Sequence, residues 1–196
     1  MRKASLAYTF LVSIGTAWAQ PPASTDAQLI TSAVRAAPKT DAQMTASAMS
    51  AAPKAVGEGA TIVAMNADGS MRTLRQGSNG FTCMPDDPGT PGPDPMCLDA
   101  NGMEWLHALM NKTEPPDKVG FVFMLVEGSD ASNTDAFATE PAAGRQWIKT
   151  GPHVMVVGGK GVREMAGYPR TPDPDPTKPY MMFIGTPFEH VMIPMQ

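Results

Sequence analysis

The chain reads as an α+β domain: a mostly antiparallel sheet of about six or seven short strands, one or two helices, proline-rich loops and an N-terminal helical arm. Three observations predict this class. Short apolar and β-branched runs recur with Gly, Pro or Asp-Gly turns between them, the pattern of hairpin-connected strands. One central segment carries helical apolar spacing behind an acidic cap. No alternation of long strands with long helices is present, which a doubly wound parallel sheet would require. The 196 residues provide for one such domain with a tail.

The first nineteen residues are a leader. Arg2 and Lys3 precede the mostly apolar stretch Ala4 to Ile14, and Ala17-Trp18-Ala19 supplies an A-x-A cleavage site. Together they predict a secretory signal peptide over 1–19. Residues 20–55 form an Ala/Ser/Thr-rich arm with a tandem 15-residue repeat. Thr25-Asp26-Ala27-Gln28 opens one copy and Thr40-Asp41-Ala42-Gln43 the next; they end at Pro38-Lys39 and Pro53-Lys54. Each begins with a T-x-x-Q capping box and stops at a proline, so each is expected to form a short helix. Two copies are too few for a solenoid; one copy docking on the domain with the other as a spacer is an open arrangement, and the arm as a whole is read as loosely attached.

Residues 56–196 make the single α+β domain. Ala60 to Met65 and Met71 to Arg75 are strands joined by Asp68-Gly69, a strong hairpin signal. Phe81 to Met84 leads into a proline-rich loop. Asp99 or Asn101 caps a helix from about Gly102 to Asn111, with Met103, Leu106, Leu109 and Met110 on its apolar side. Val119 to Val126 is a continuous apolar run, expected as a strand buried on both faces. After a polar loop over 128–144, Gln146 to Lys149 and His153 to Val157 read as strands, and Val162 to Ala166 as a short helix. Thr171 to Pro176 is an extended connector. Tyr180 to Ile184 and Glu189 to Ile193 close the chain as strands.

Composition narrows the function. A net charge of −4 and the absence of any Lys/Arg cluster exclude nucleic acid as the expected partner. Past the leader no apolar stretch is long enough to span a bilayer. The chain has 16 methionines, which supply adaptable apolar filling where Leu, Ile and Val are scarce. Cys83 and Cys97 are expected to pair as a disulfide in an oxidising compartment, periplasmic or extracellular. Their spacing is far too wide for C-x-x-C redox or metal chemistry.

Gly77-Ser78-Asn79-Gly80-Phe81-Thr82-Cys83-Met84-Pro85, Asp130-Ala131-Ser132-Asn133-Thr134-Asp135 and Thr150-Gly151-Pro152-His153-Val154-Met155 resemble segments of a group of uncharacterised bacterial secreted proteins. The resemblance covers roughly residues 55–196. It implies export and a shared domain, and it transfers no activity.

The most specific chemical pattern is His-Val-Met occurring twice, His153-Val154-Met155 and His190-Val191-Met192. In a strand, residues two apart share a face, so each copy sets an imidazole beside a thioether. If the strands are neighbours, His153, Met155, His190 and Met192 form a set suited to copper, above all Cu(I), to which Met195 or the Met181-Met182 pair could add or substitute a thioether. The competing reading is hydrogen-bonded histidines and core-filling methionines, with no cofactor at all. The acidic turn 128–135 offers oxygens to Ca2+, but lacks EF-hand spacing and the distal Glu, and the favoured reading is a solvent-exposed loop of Asx and Ser/Thr turns.

No nucleophile elbow, H-E-x-x-H helix or Walker loop is present. Ser78, Ser129 or Ser132 with a histidine could be assembled into a nucleophile–base pair only by geometry. His107 is read as a surface residue of the helix. Trp105, Trp147, Phe188 and nearby methionines offer a pocket or contact surface for a small apolar ligand or an envelope protein. The sequence therefore favours an exported, non-enzymatic binding protein of the cell envelope, with a periplasmic copper-binding accessory protein as the alternative.

Overall fold

The computed structural model describes residues 39–90, 92–128 and 131–195. The expected leader and nearly all of the first repeat copy lie outside them. The α+β class holds, with eight strands and four helices among the described residues instead of six or seven and one or two.

The second repeat copy folds into helix α1, Asp41–Ser50. Thr40 and Gln43 make the expected capping box: the Gln43 amide donates to Thr40 Oγ1 at 3.3 Å, and the Thr40 amide to Gln43 Oε1 at 2.8 Å. This copy is docked on the domain, not loosely attached, as the alternative of one docked copy allowed. Ala48, Ala51 and Ala52 are buried in one cluster with Ile62, Cys83 and Cys97. The Leu125 amide donates to Ala51 O at 2.9 Å, and Lys39 pairs with the nearly buried Asp86 at 2.6 Å. Small side chains let the helix approach the sheet closely, so a face too weak in hydrophobicity to advertise itself still docks. A second short helix, α2 (Lys54–Gly59), follows directly.

Strands β1 (Thr61–Met65) and β2 (Met71–Arg75) form the predicted hairpin, with Gly69 at φ +81° in its turn. Strand β3 (Thr82–Met84) runs parallel to β1, and antiparallel to β4 (Met96–Leu98), a strand the sequence did not announce. Cys83 and Cys97 are direct partners across that pairing and form the disulfide. Helix α3 (Ala100–Met110) is capped by Asp99, whose Oδ1 accepts from the Gly102 amide at 2.7 Å. Strands β5 (Gly120–Met124) and β6 (His153–Val157), helix α4 (Lys160–Arg163), and strands β7 (Tyr180–Met182) and β8 (His190–Pro194) complete the unit.

The sheet order is β2-β1-β3-β4-β5-β6-β8-β7, antiparallel throughout except for β1 with β3. Two expectations need correction. The run from Val119 is not buried on both faces, since Phe121 is 46% exposed and Val119 and Val126 are exposed as well. The expected strand at Gln146 to Lys149 is only a single bridge, Ala131 to Ile148.

Alternation along the strands assigns the two faces. Leu98, Val122, Met155, Val157 and Met192 lie on the front, packed under Trp105 and Ala108 of α3. Contact there is intimate: a Cβ on Gly120 would stand 2.3 Å from the Gly102 amide nitrogen. The back face carries α1 over Ile62 and the disulfide, and α4 over Met181 and Val191.

Candidate functional site: a methionine-lined cavity with two histidines

The two His-x-Met strands are neighbours. Strands β6 and β8 pair antiparallel with Met155 opposite Met192 and His153 opposite Pro194. The same register, continued by one residue, sets His190 across from Val157. All four predicted side chains therefore share the front face, and all four line one cavity of about 350 Å³. They do not meet as two imidazoles side by side. Antiparallel pairing through the methionines sends the histidines to opposite ends of the motif, about 14 Å apart along the strand direction at ~3.4 Å per residue. The thioethers occupy the middle.

The neighbouring strands add thioethers, of which the sequence reading named Met182 and missed Met124 and Met96. Met182 of β7 is the direct partner of His190, and Met124 of β5 is the direct partner of His153. Met96 lines the cavity too. The signal of Met124 and Met96 was weak, because each becomes visible only once cross-strand register is known.

Both imidazoles are held in one tautomer. His153 Nδ1 lies 2.7 Å from Gly151 O, and His190 Nδ1 lies 2.9 Å from Phe188 O. A carbonyl oxygen only accepts, so Nδ1 carries the proton and donates, and Nε2 of the neutral ring presents a lone pair. Burial pushes the His190 pKa down to about 4; the Phe188 carbonyl opposes that shift, and the charge of His153 adds to it. His153 is lowered for the same leading reason, opposed by its bond to Gly151. Both rings are thus neutral at ordinary pH.

His190 is fully buried, and its Nε2 has no hydrogen-bond partner. Trp105 stands edge-on to it with ring centroids 5.2 Å apart, and the buried indole Nε1 likewise has no partner. Phe183 closes the other side at 5.2 Å, and takes a left-handed backbone, φ 55°, to do so. That conformation is uncommon for a bulky residue and clusters at functional positions. At the opposite end Gly128 lies close over His153, since a Cβ there would come within 2.7 Å of its Cε1.

The other candidates disperse. Phe188 is buried beside Trp105 at 6.2 Å, but Trp147 does not line the cavity, and His107 is exposed on α3. Ser78 and Ser132 are also outside the cavity lining, and Ser129 falls outside the described residues. In the acidic turn, Ser132 Oγ accepts from the Thr134 and Asp135 amides, and Asp135 Oδ1 from the Phe137 amide. Ser132 and Asp135 thus bind their own backbone, as Asx and Ser/Thr turns do. Among the described residues no three His, Cys, Asp or Glu side chains converge, so the donors that do come together are imidazole and thioether.

A second, open groove of about 520 Å³ adjoins the cavity, bounded by Met44 of α1, Met65 of β1, Met84 of β3 and Met110 of α3. Asp94, Met96 and Leu106 belong to the walls of both. Among the described residues no helix is long and apolar enough to cross a membrane. No protein-family model, curated protein or solved structure matches the chain.

Proposed function

We propose that this chain is an exported, non-enzymatic binding protein of the bacterial cell envelope, periplasmic or secreted, and that the cavity beside His190 is its ligand site. One observation carries the reading. A largely apolar cavity has at its wall a lone-pair nitrogen, His190 Nε2, and an indole N–H, Trp105 Nε1, both buried and both unpartnered. Orphaned buried polar atoms are rare and costly in native proteins, and a ligand that pairs them recovers that cost. The matching chemistry is a small apolar body with a single hydroxyl, which accepts from the indole and donates to the imidazole. Thioethers and aromatic rings adapt to such a body without a fixed shape. A His190 that stays neutral far below pH 7 is a weak base, which supports binding over proton-transfer chemistry.

Calorimetric titration with 1-naphthol tests the site. Saturable binding is expected, weakened about tenfold in His190→Phe, the worth of one hydrogen bond. Absence of saturable binding rejects the site; equal affinity in the two proteins rejects the role of His190.

The second reading, a copper-binding accessory protein, draws on a separate observation. Both imidazoles are anchored through Nδ1 to backbone carbonyls and present Nε2 among thioethers. Such outer hydrogen bonds are what orient histidine ligands at metal centres, and imidazole with thioether suits Cu(I). Titration of Cu(I) into the wild type and a His153→Ala/His190→Ala variant decides it. Tight binding lost in the variant is expected; equal, weak binding by both removes the reading.

A further inference from the structure

The front face carries a row of sulfur atoms that ends on a histidine. Met84 of β3 is the direct partner of Met96 of β4. The β4–β5 register, which pairs Cys97 with Phe123, brings Met96 opposite Met124 when continued by one residue. Met124 is in turn the direct partner of His153 on β6. Four adjacent strands thus contribute Met84, Met96, Met124 and His153 in one line across the sheet, at the ~4.8 Å interval of neighbouring strands. Met84 opens on the outer groove, Met124 and His153 on the inner cavity, and Met96 on both.

We propose that this row is an entry path along which a soft monovalent ion, Cu(I), passes from the outer groove to the inner cavity. The inference rests on the copper reading of the inner cavity and adds the route. Two sulfurs within about twice a metal–sulfur bond, ~4.6 Å taking the ~2.3 Å of metal–thiolate bonds as a guide, share an ion in transit. Each step forms one copper–donor bond and breaks another. The ion stays Cu(I) throughout, no electron moves, and the neutral imidazole at the end releases no proton on taking it. Neutral thioethers suit such a soft ion better than a hard one, holding it firmly enough to capture it and loosely enough to pass it on. The outer end is accessible, because Met65 and Met110 beside it are 48% and 52% exposed.

The experiment uses the full chain carrying Trp18→Phe and Trp147→Phe, so that Trp105 is the sole indole. Cu(I) buffered by bathocuproine disulfonate is mixed anaerobically with the protein, and quenching of Trp105 gives both rate and final extent. The wild type is expected to take up the ion with full quenching. Met96→Leu, which keeps volume but removes the middle sulfur, is expected to load several-fold more slowly to the same final affinity. Met71→Leu, an exposed position off the row, is expected to load like the wild type. If the wild type shows neither uptake nor quenching, the copper reading and the path fall together. If the wild type loads but Met96→Leu is equally fast, or Met71→Leu equally slow, the path is wrong while the inner site stands. If Met96→Leu loses the final affinity, Met96 is a ligand of the resting site and the path is likewise overturned.

Discussion

Trp105 stands edge-on to His190 at 5.2 Å, and each ring buries one polar nitrogen without a partner. The pair lies where α3 crosses the front of the sheet, with Phe188 against the indole and Phe183 against the imidazole. Edge-to-face packing of four rings gives this end of the cavity a rigid wall. The two nitrogens make that wall chemically specific in a largely apolar enclosure.

The unsatisfied indole sets an expectation for Trp105 itself. Truncation by Trp105→Ala removes the ring and opens a cavity, at a cost of about 3–5 kcal/mol. Trp105→Phe loses area as well, but deletes a buried donor whose desolvation works against folding by about 1–3 kcal/mol. The two effects offset each other, so Trp105→Phe is expected to stay within about 1 kcal/mol of the wild type. Urea denaturation of the three proteins measures this. A Trp105→Phe loss as large as that of Trp105→Ala means that the indole N–H is satisfied in the folded protein.

The pH dependence follows from the buried imidazoles. The pKa of His190 lies near 6.5 in the unfolded chain and about 4 when folded. Between those values the unfolded chain binds more protons, so stability is complete above about pH 6.5, falls as pH drops toward 4, and loses nothing further from this group below that. For His190 alone the loss is on the order of 3 kcal/mol, and His153 acts in the same direction. His190→Phe keeps a ring of similar shape without the proton, and is expected to flatten the decline. Urea midpoints collected across that pH range check it; equal slopes in the two proteins would contradict the buried, neutral assignment.

How far these features were legible in the sequence depends on whether the deciding interaction was local. The β1–β2 hairpin was readable, because Asp68-Gly69 specifies its own turn. So was the helix behind Asp99, and so was the shared phase of His153 with Met155 and of His190 with Met192. Strand β4 was not readable. It is three residues long, directly follows Pro93-Asp94-Pro95, and has its partner fixed through the Cys97–Cys83 pairing. The half-exposed face of β5 was hidden by its apolar run, because only the packing of α3 reveals which side is covered. Met96 and Met124 were invisible as site residues for a related reason, whereas Met182 was legible as a spare thioether. Register between strands is a tertiary fact, and nothing near Met124 in the chain points to His153.

Docking of α1 is testable at Ala48, which is completely buried against the back of the sheet. Ala48→Asp places a carboxylate inside the packed cluster that holds Ile62 and the disulfide, and burying a polar group there costs about 1–3 kcal/mol, more when charged. A loosely held arm would tolerate the change with no measurable loss. Thermal denaturation of Ala48→Asp beside the exposed control Ala42→Asp separates the two cases. A marked fall in Tm for the former alone is expected, whereas matching Tm values would detach the helix from the fold.

The disulfide ties together the two strands that begin the sulfur row, so its removal bears on both stability and the groove. The bond closes a loop between positions 14 apart, for which chain entropy predicts about 3 kcal/mol. Five prolines within the loop already restrict the unfolded chain, which lowers the expected gain to about 2 kcal/mol. Residues of the same loop also hold each other. The Asp87 amide donates to Asp94 Oδ1 at 2.9 Å, and the Asp94 amide to Asp86 Oδ1 at 3.1 Å, while Asp86 is anchored to Lys39. A Cys83→Ala/Cys97→Ala variant is therefore expected to remain folded with a lower urea midpoint. Its groove should persist, because the carboxylate bonds and the β3–β4 pairing survive the change. Retained amide protection at Cys97→Ala and Leu98 in hydrogen exchange would demonstrate that. If exchange there rises to the level of an open loop, the covalent link, and not the pairing, is what holds Met84 opposite Met96.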